Sequence, residues 1–272
     1  MHDYTSDIGY QSVASTASVV ETRLAADGIA VLRRLPNRHE MFAIASRLGY
    51  VWNDRRIYVN AELEAHTRSP AGVHFHMDHA RANVIGWLCE VPDACFNRYV
   101  DALRLYRDLP ESERDALTRV RCFDPYPVQC AQDPQRPTVI APAVERVHGA
   151  TRIFWVPAAE PESDRLPDSL NPLLLIPQGP DAAVERRAIE TFRAAVERFD
   201  AAPELAHVSV MLAPGDAVFV DNNRFLHGRG ALPAASPREL YRVWVNSDGW
   251  SSARRWHLDA PSEMASRPRL GW

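Results

Sequence analysis

Pro214-Gly215-Asp216-Ala217-Val218-Phe219-Val220-Asp221-Asn222-Asn223-Arg224-Phe225-Leu226-His227-Gly228-Arg229 is the stretch on which the fold turns. Pro-Gly marks a turn, and Ala217 to Val220 is an apolar run of strand length rather than helix length. Before the turn, Val208 to Leu212 is a second such run, so the two together read as a hairpin. Beyond His227, Arg238 to Val245 is the last clear strand. Side chains alternate along a strand, so Arg238, Leu240, Arg242 and Trp244 share one face.

Working outward, residues 16–26 read as a helix ending near Gly28, followed by the buried strand Ile29-Ala30-Val31-Leu32. Asn37 with Glu40 three residues later marks a helix start. Met41, Ile44, Ala45 and Leu48 continue at helical spacing until Gly49. Val84 to Cys89 reads as a buried strand, 100–117 as a helical stretch broken at Pro110, and 137–156 as two or three strands. Val184, Ala188, Phe192, Ala195, Val196 and Phe199 lie at the spacing of a long amphipathic helix. The βαβα alternation of a doubly wound sheet is missing. The pattern predicts a mainly β, antiparallel sandwich or barrel with flanking helices, in one domain spanning 1–272. The proline-rich stretch 157–180 is expected to be a lid or insert of that domain.

Bulk properties narrow the function. The chain has 272 residues, enough for one sizeable core, and a formal net charge of -4, which offers no basic surface to nucleic acid or to an anionic membrane. All 31 basic residues are arginine, so no lysine is present for Schiff-base chemistry. Cys89, Cys95, Cys122 and Cys130 form no C-x-x-C pair and read as reduced and mostly buried. No stretch approaches the ~18 apolar residues of a membrane span. A cytoplasmic location and a small-molecule substrate are the expectation, with homo-oligomerisation left open.

Chemistry concentrates at Val73-His74-Phe75-His76-Met77-Asp78-His79. In an extended segment His76 and Asp78 point the same way and can grip one ion. A third ligand must come from far along the chain, and His227 is the best candidate. Two imidazoles and one carboxylate leave three positions open on an octahedral metal. That suits Fe(II) with a chelating co-substrate and O2. The alternative is that His76 and His227 are satisfied structural histidines. Arg238 and Arg242, beside Leu and Trp on one face, point to a cavity, where a buried guanidinium requires an anionic partner; the alternative is a pair of structural salt bridges to Asp or Glu. Four residues of strand set them roughly 13 Å apart, so they serve different anions or different ends of the reacting pair.

Three stretches carry a resemblance: Asp27-Gly28-Ile29-Ala30-Val31-Leu32-Arg33-Arg34-Leu35 with the following helix to Gly49; His76-x-Asp78; and Pro214 through His227-Gly228-Arg229 to Arg238-x-x-x-Arg242. Together they resemble the taurine dioxygenase and clavaminate synthase group of Fe(II)/2-oxoglutarate oxygenases, and the C-terminal part is similar to carbapenem synthase. The resemblance implies a double-stranded β-helix (jelly-roll, cupin-like) core. It implies iron on His76, Asp78 and His227, with Fe(II), 2-oxoglutarate and O2 as cofactor and co-substrates. It implies Arg238 as anchor of the distal 2-oxoglutarate carboxylate, and Arg242 facing the substrate or the co-substrate's near end. Where relatives carry a threonine that bonds 2-oxoglutarate, this chain has Arg98, a candidate second cofactor contact. Asp78 itself favours hydroxylation, desaturation or ring closure over halogenation. The implied function is oxidation of an unactivated C–H bond in a small anionic or amino-acid-derived metabolite of specialised biosynthesis.

Two alternatives belong beside this one. His74-x-His76-x-Asp78-His79 also matches the zinc motif of metallo-β-lactamase-like hydrolases, although Ala80-Arg81-Ala82 follows where that motif has glycines. A non-catalytic binding protein could share the scaffold. His74 and His79 are candidate substrate contacts in the oxygenase.

Overall fold

The structure is a computed structural model, and it describes residues 7–59, 72–78, 82–124, 138–147, 150–155, 174–177 and 179–247. Strand β1 (Ile8–Gly9) precedes helix α1 (Val13–Asp27). Ser12 caps α1 by accepting from the Ser15 N–H, and Gly28 ends it in the left-handed region at φ 77°. There follow β2 (Ile29–Arg33), α2 (Arg38–Leu48), β3 (Tyr50–Tyr58) and β4 (Val73–His76). Asn37 caps α2, accepting from the His39 and Glu40 N–H groups. Next come β5 (Val84–Val91), β6 (Asn97–Asp101), α3 (Ala102–Arg107) and α4 (Glu111–Leu117). Then β7 (Arg121–Asp124), β8 (Thr138–Pro142), β9 (Val144–Val147), β10 (Ala150–Ile153) and β11 (Leu174–Ile176) lead to the long helix α5 (Ala182–Ala201). The chain ends its described part with β12 (Val208–Val210), β13 (Ala217–Asp221), β14 (Phe225–Arg229) and β15 (Glu239–Asn246).

Two sheets face each other as a double-stranded β-helix. The major sheet has the order β1-β2-β13-β5-β15-β3 and the minor sheet β12-β6-β14-β4. Between them lie Val31, Ile85, Trp87, Tyr99, Val218, Val220, Phe225 and Leu240, all buried. On the outer face of the major sheet, Leu88, Phe219, Tyr241 and Val243 pack under Val20 and Leu24 of α1 and Met41 and Ile44 of α2. On the far side Ala188, Ile189, Phe192 and Val196 of α5 close a third apolar cluster against Phe75, Leu105 and Leu117. Each large side chain so buried contributes about 1.5–3 kcal/mol. Gly86 of β5 admits this packing: a Cβ there would sit 2.8 Å from the Phe219 ring and 2.9 Å from Val243.

The structure corrects two expectations. Val208–Val210 and Ala217–Asp221 are not a hairpin: β12 pairs with β6 in the minor sheet, whereas β13 pairs with β2 and β5 in the major one. The Pro214-Gly215 turn, with Gly215 at φ 83°, carries the chain between sheets. The helical stretch expected from residue 100 begins only at Ala102, because Asn97–Asp101 is a strand and Asp101 caps α3 by accepting from Arg104 N–H. Of the stretch 157–180, Leu174–Ile176 pairs with β7, while 157–173 lie outside the described residues. Among the described residues Cys89, Cys95 and Cys122 form no disulfide with one another; Cys130 lies outside the described residues.

Candidate metal centre

β14 runs between β4 and β6, with His227 in register with His76 on one side and Tyr99 on the other. The two imidazole centroids are 4.3 Å apart. Asp78 follows β4 and is held by Asn222, whose Oδ1 accepts the Asp78 N–H at 3.0 Å and whose Nδ2 donates to Ala82 O at 2.8 Å. Its Oδ1 lies 3.5 Å from His76 Nε2 and 3.5 Å from His227 Nε2. One donor atom from each of the three residues falls within 4.8 Å of the others.

Each donor is prepared for an ion. His76 Nδ1 lies 2.8 Å from the carbonyl of His74. A carbonyl only accepts, so Nδ1 carries the proton and Nε2 presents its lone pair. Asp78 Oδ2 is clamped by Arg242 Nη1 at 2.9 Å and Trp244 Nε1 at 2.7 Å, which leaves Oδ1 for one-oxygen ligation. Burial would raise the Asp78 pKa. Arg242, then His227 and His76, outweigh it and hold the carboxyl well below the ordinary carboxylate range. Burial, reinforced by His76 and opposed by Asp78, pushes His227 down to about 4. At neutral pH the set is therefore one carboxylate with an imidazole already free of its second proton. A mixed nitrogen–oxygen, open-faced set of this kind fits Fe(II).

The cleft beside the triad is walled by Trp87, Tyr99, Leu240 and Ile57, with Arg238, Arg229 and Asn97 at one end and Arg242 next to Asp78. Arg238 is 8% exposed and donates from Nη2 to Asn97 Oδ1; the Asp93 carboxylate stands 3.8 Å from its Nε. Burial, with Arg238 beside it, brings the Arg229 guanidinium down to about 10.

Arg98 is not in this wall. It alternates with Asn97 and Tyr99, which do line the cleft, and its guanidinium lies toward Gly230. Asn97 stands where a co-substrate contact was expected of Arg98. His74 also leaves the site, although it is two residues from His76. The pairing of β14 with β4 shifts register between His227↔His76 and Arg229↔Val73, and this bulge sends Val73 into the cleft and His74 outward. The His74 side chain is 74% exposed and sits 3.4 Å from Asp200. The hydrolase arrangement on His74 and His76 is thereby lost. His79 lies outside the described residues. Arg242, expected to face the substrate or the near end of the co-substrate, donates to Asp78. Asn97 and Asn222 were not singled out, and Trp244 was placed on the cavity face without a partner, since only contacts between sheets give them a role.

A profile of the family described as "Taurine catabolism dioxygenase TauD, TfdA family" matches residues 6–244. The chain belongs to the TauD/TfdA family. It is accordingly a 2-oxoglutarate-dependent non-haem iron dioxygenase, using Fe(II), 2-oxoglutarate and O2. Solved structures with the same fold include an asparagine oxygenase in complex with Fe(II), 3-hydroxyasparagine and succinate. It has a TM-score of 0.61 and 19% identity over 89% of this chain and 83% of that one. The non-heme iron oxygenase OrfP with Fe and α-ketoglutaric acid aligns at TM-score 0.61 and 17% identity over 86% and 80%. PvcB of Pseudomonas aeruginosa aligns at 0.55 and 16% over 84% and 79%. FR-33289 synthase of Streptomyces rubellomurinus is 35% identical over 92 residues, 29% of this chain and 26% of that synthase. The matched segment is thus about a quarter of that relative. Among the described residues of this TauD/TfdA member, no helix is long and apolar enough to cross a membrane.

Proposed function

We propose that this TauD/TfdA-family dioxygenase oxidises an unactivated C–H bond of a small anionic, amino-acid-derived metabolite in specialised biosynthesis. His76, Asp78 and His227 hold the iron, and Arg238 with Asn97 takes the distal carboxylate of 2-oxoglutarate. The carrying observation is the buried Asp78 carboxylate, one oxygen turned to the two imidazoles and the other held by Arg242 and Trp244. The bound metal supplies O2 activation coupled to decarboxylation of 2-oxoglutarate; for hydroxylation, R–H, O2 and 2-oxoglutarate give R–OH, succinate and CO2.

The chain's own residues bind, orient and exclude water. Trp87 stacks edge-on against the His227 ring at 4.9 Å and, with Tyr99 and Leu240, keeps one wall of the cleft apolar. Arg238 is buried at the end of the cleft away from Asp78, where an incoming carboxylate would accept a charge-assisted hydrogen bond. The relatives support an amino-acid-like substrate: the asparagine oxygenase structure holds 3-hydroxyasparagine, an OrfP mutant holds (3S)-hydroxy-L-Arg, and PvcB belongs to an isonitrile synthetic pathway. The protein acts as one domain, in the cytoplasm.

Anaerobic addition of Fe(II) and 2-oxoglutarate should give a visible charge-transfer band that shifts with candidate amino-acid-derived anions. Admitting O2 should then release succinate. His76→Ala, Asp78→Ala and His227→Ala should each abolish succinate release. Full turnover in any of them removes that residue from the metal site, and absence of the band in the wild-type protein refutes the function.

A further inference from the structure

Asp200 is an acid in an unfavourable place. It lies one residue from the C-terminal end of α5, where the helix dipole disfavours a carboxylate, so its charge calls for a partner beyond the helix. The side chain is turned onto β4 and is 18% exposed. Its Oδ1 accepts the main-chain N–H of Phe75 at 2.8 Å. The Phe75 and Phe199 rings meet edge to face beside this contact, with centroids 6.3 Å apart, and hold the end of α5 against the strand.

The N–H of Phe75 and the C=O of His74 belong to one peptide group. That carbonyl is the one 2.8 Å from His76 Nδ1. In a trans peptide the N–H and C=O point in opposite directions, so one group takes a charge on one side and a proton donor on the other. The contacts therefore run from the Asp200 carboxylate to Phe75 N–H, and from His74 C=O to His76 Nδ1–H, with His76 Nε2 turned to Asp78 Oδ1 at 3.5 Å. Linked hydrogen bonds polarise one another, and an ionised acceptor strengthens the first of them, so the carbonyl facing His76 becomes the better acceptor. The bulge between β4 and β14 leaves His74 without a register partner, and its carbonyl serves the imidazole instead. Among the described residues His227 Nδ1 has no hydrogen-bond partner, so only one of the two imidazoles is braced in this way.

We propose that Asp200 is a positioning residue for His76, acting through the 74–75 peptide group. The proposal rests on the reading of His76 as a metal ligand. A carboxylate that orients a metal-bound histidine ordinarily touches the ring itself. Here one peptide unit is interposed, and the carboxylate comes from a helix outside the two sheets. The tautomer and orientation of His76 are thereby tied to the seating of α5 on β4.

Calorimetric Mn(II) titration of the metal-free, full-length protein tests this, with Asp200→Asn, Asp200→Ala and His76→Ala beside the wild type. Asparagine keeps an oxygen for the Phe75 N–H and removes the charge; alanine removes both. Mn(II) binding should weaken roughly tenfold or more in Asp200→Ala and by a smaller factor in Asp200→Asn. In the Co(II)-loaded protein, the paramagnetically shifted Nδ1–H proton of His76 should move between wild type and Asp200→Asn, whereas a role confined to stability would leave it in place. Circular dichroism identifies the folded variants, and Asp200→Asn carries the test if Asp200→Ala does not fold. The proposal is overturned if folded Asp200→Ala binds Mn(II) within about twofold of wild type. It is also overturned if the His76 Nδ1–H resonance is the same in wild type and Asp200→Asn. Wild-type Mn(II) affinity in His76→Ala would refute the ligand assignment itself, and the proposal with it; weakened binding there, with none in the Asp200 variants, removes only Asp200.

Discussion

Trp244→Phe isolates the clamp on Asp78. The indole Nε1–H lies 2.7 Å from Oδ2, and Arg242 Nη1 lies 2.9 Å from the same oxygen. Phenylalanine keeps a ring under the Arg242 guanidinium, now 4.1 Å from the Trp244 ring centroid, and deletes the N–H. A hydrogen bond to a charged group contributes about 1.5–3 kcal/mol, so the metal-free protein should lose that much stability. Asp78 is anionic with and without metal, so much of this cancels in the binding equilibrium. What remains is the loss of orientation, and supporting-residue changes of this type weaken metal binding about 10- to 100-fold. Urea denaturation of the metal-free protein measures the first quantity, and calorimetric Mn(II) titration the second. Unchanged stability together with a Mn(II) Kd within about twofold of wild type would refute the clamp.

Arg238→Ala should raise the 2-oxoglutarate KM by roughly 10- to 100-fold in a succinate-release assay, the loss of one charge-assisted contact; an unchanged KM would move the anchor to Arg229. Acid should destabilise the metal-free protein through His227. Its folded pKa of about 4 lies below the ordinary 6.5, so as pH falls the unfolded chain takes up the proton first. The stability is full above 6.5 and is lost toward 4, a drop of about 2 kcal/mol between pH 7 and pH 5. Denaturation curves at the two pH values should show it, and His227→Gln should flatten it. The lowered Asp78 pKa acts with the same sign at more acid pH.

What the sequence disclosed was local. Gly28 and Asn37 mark helix ends because capping is decided within a few residues, and α5 announces itself because one face of it is buried along its length. Strand β3 gives no such signal. Its outer residues Asp54 and Arg56 meet other polar groups, and its opposite face carries the polar Asn53 and Arg55 before Ile57, so neither face shows apolar alternation. The misread hairpin has the same origin. Val208–Val210 and Ala217–Asp221 are neighbours in sequence, but their partners are 97–101 on one side and 29–33 and 84–91 on the other. No property of the Pro214-Gly215 turn encodes that choice of sheet.

The site divides along the same line. The convergence of His76, Asp78 and His227 was legible because few residue types can ligate a metal and their spacing limits the combinations. The neighbouring histidine was not. Parity in an extended segment places His74 with His76, and on parity alone His74-x-His76-x-Asp78 offers a third ligand from one strand. The bulge against β14 breaks parity between Val73 and His76, turning His74 to the 74% exposed outer face near Asp200. One extra residue therefore separates a site whose ligands come mostly from one segment from a site that must recruit His227 across the ladder. A three-ligand site of that second kind leaves half of an octahedral metal open, which is the property that O2 and a chelating co-substrate require.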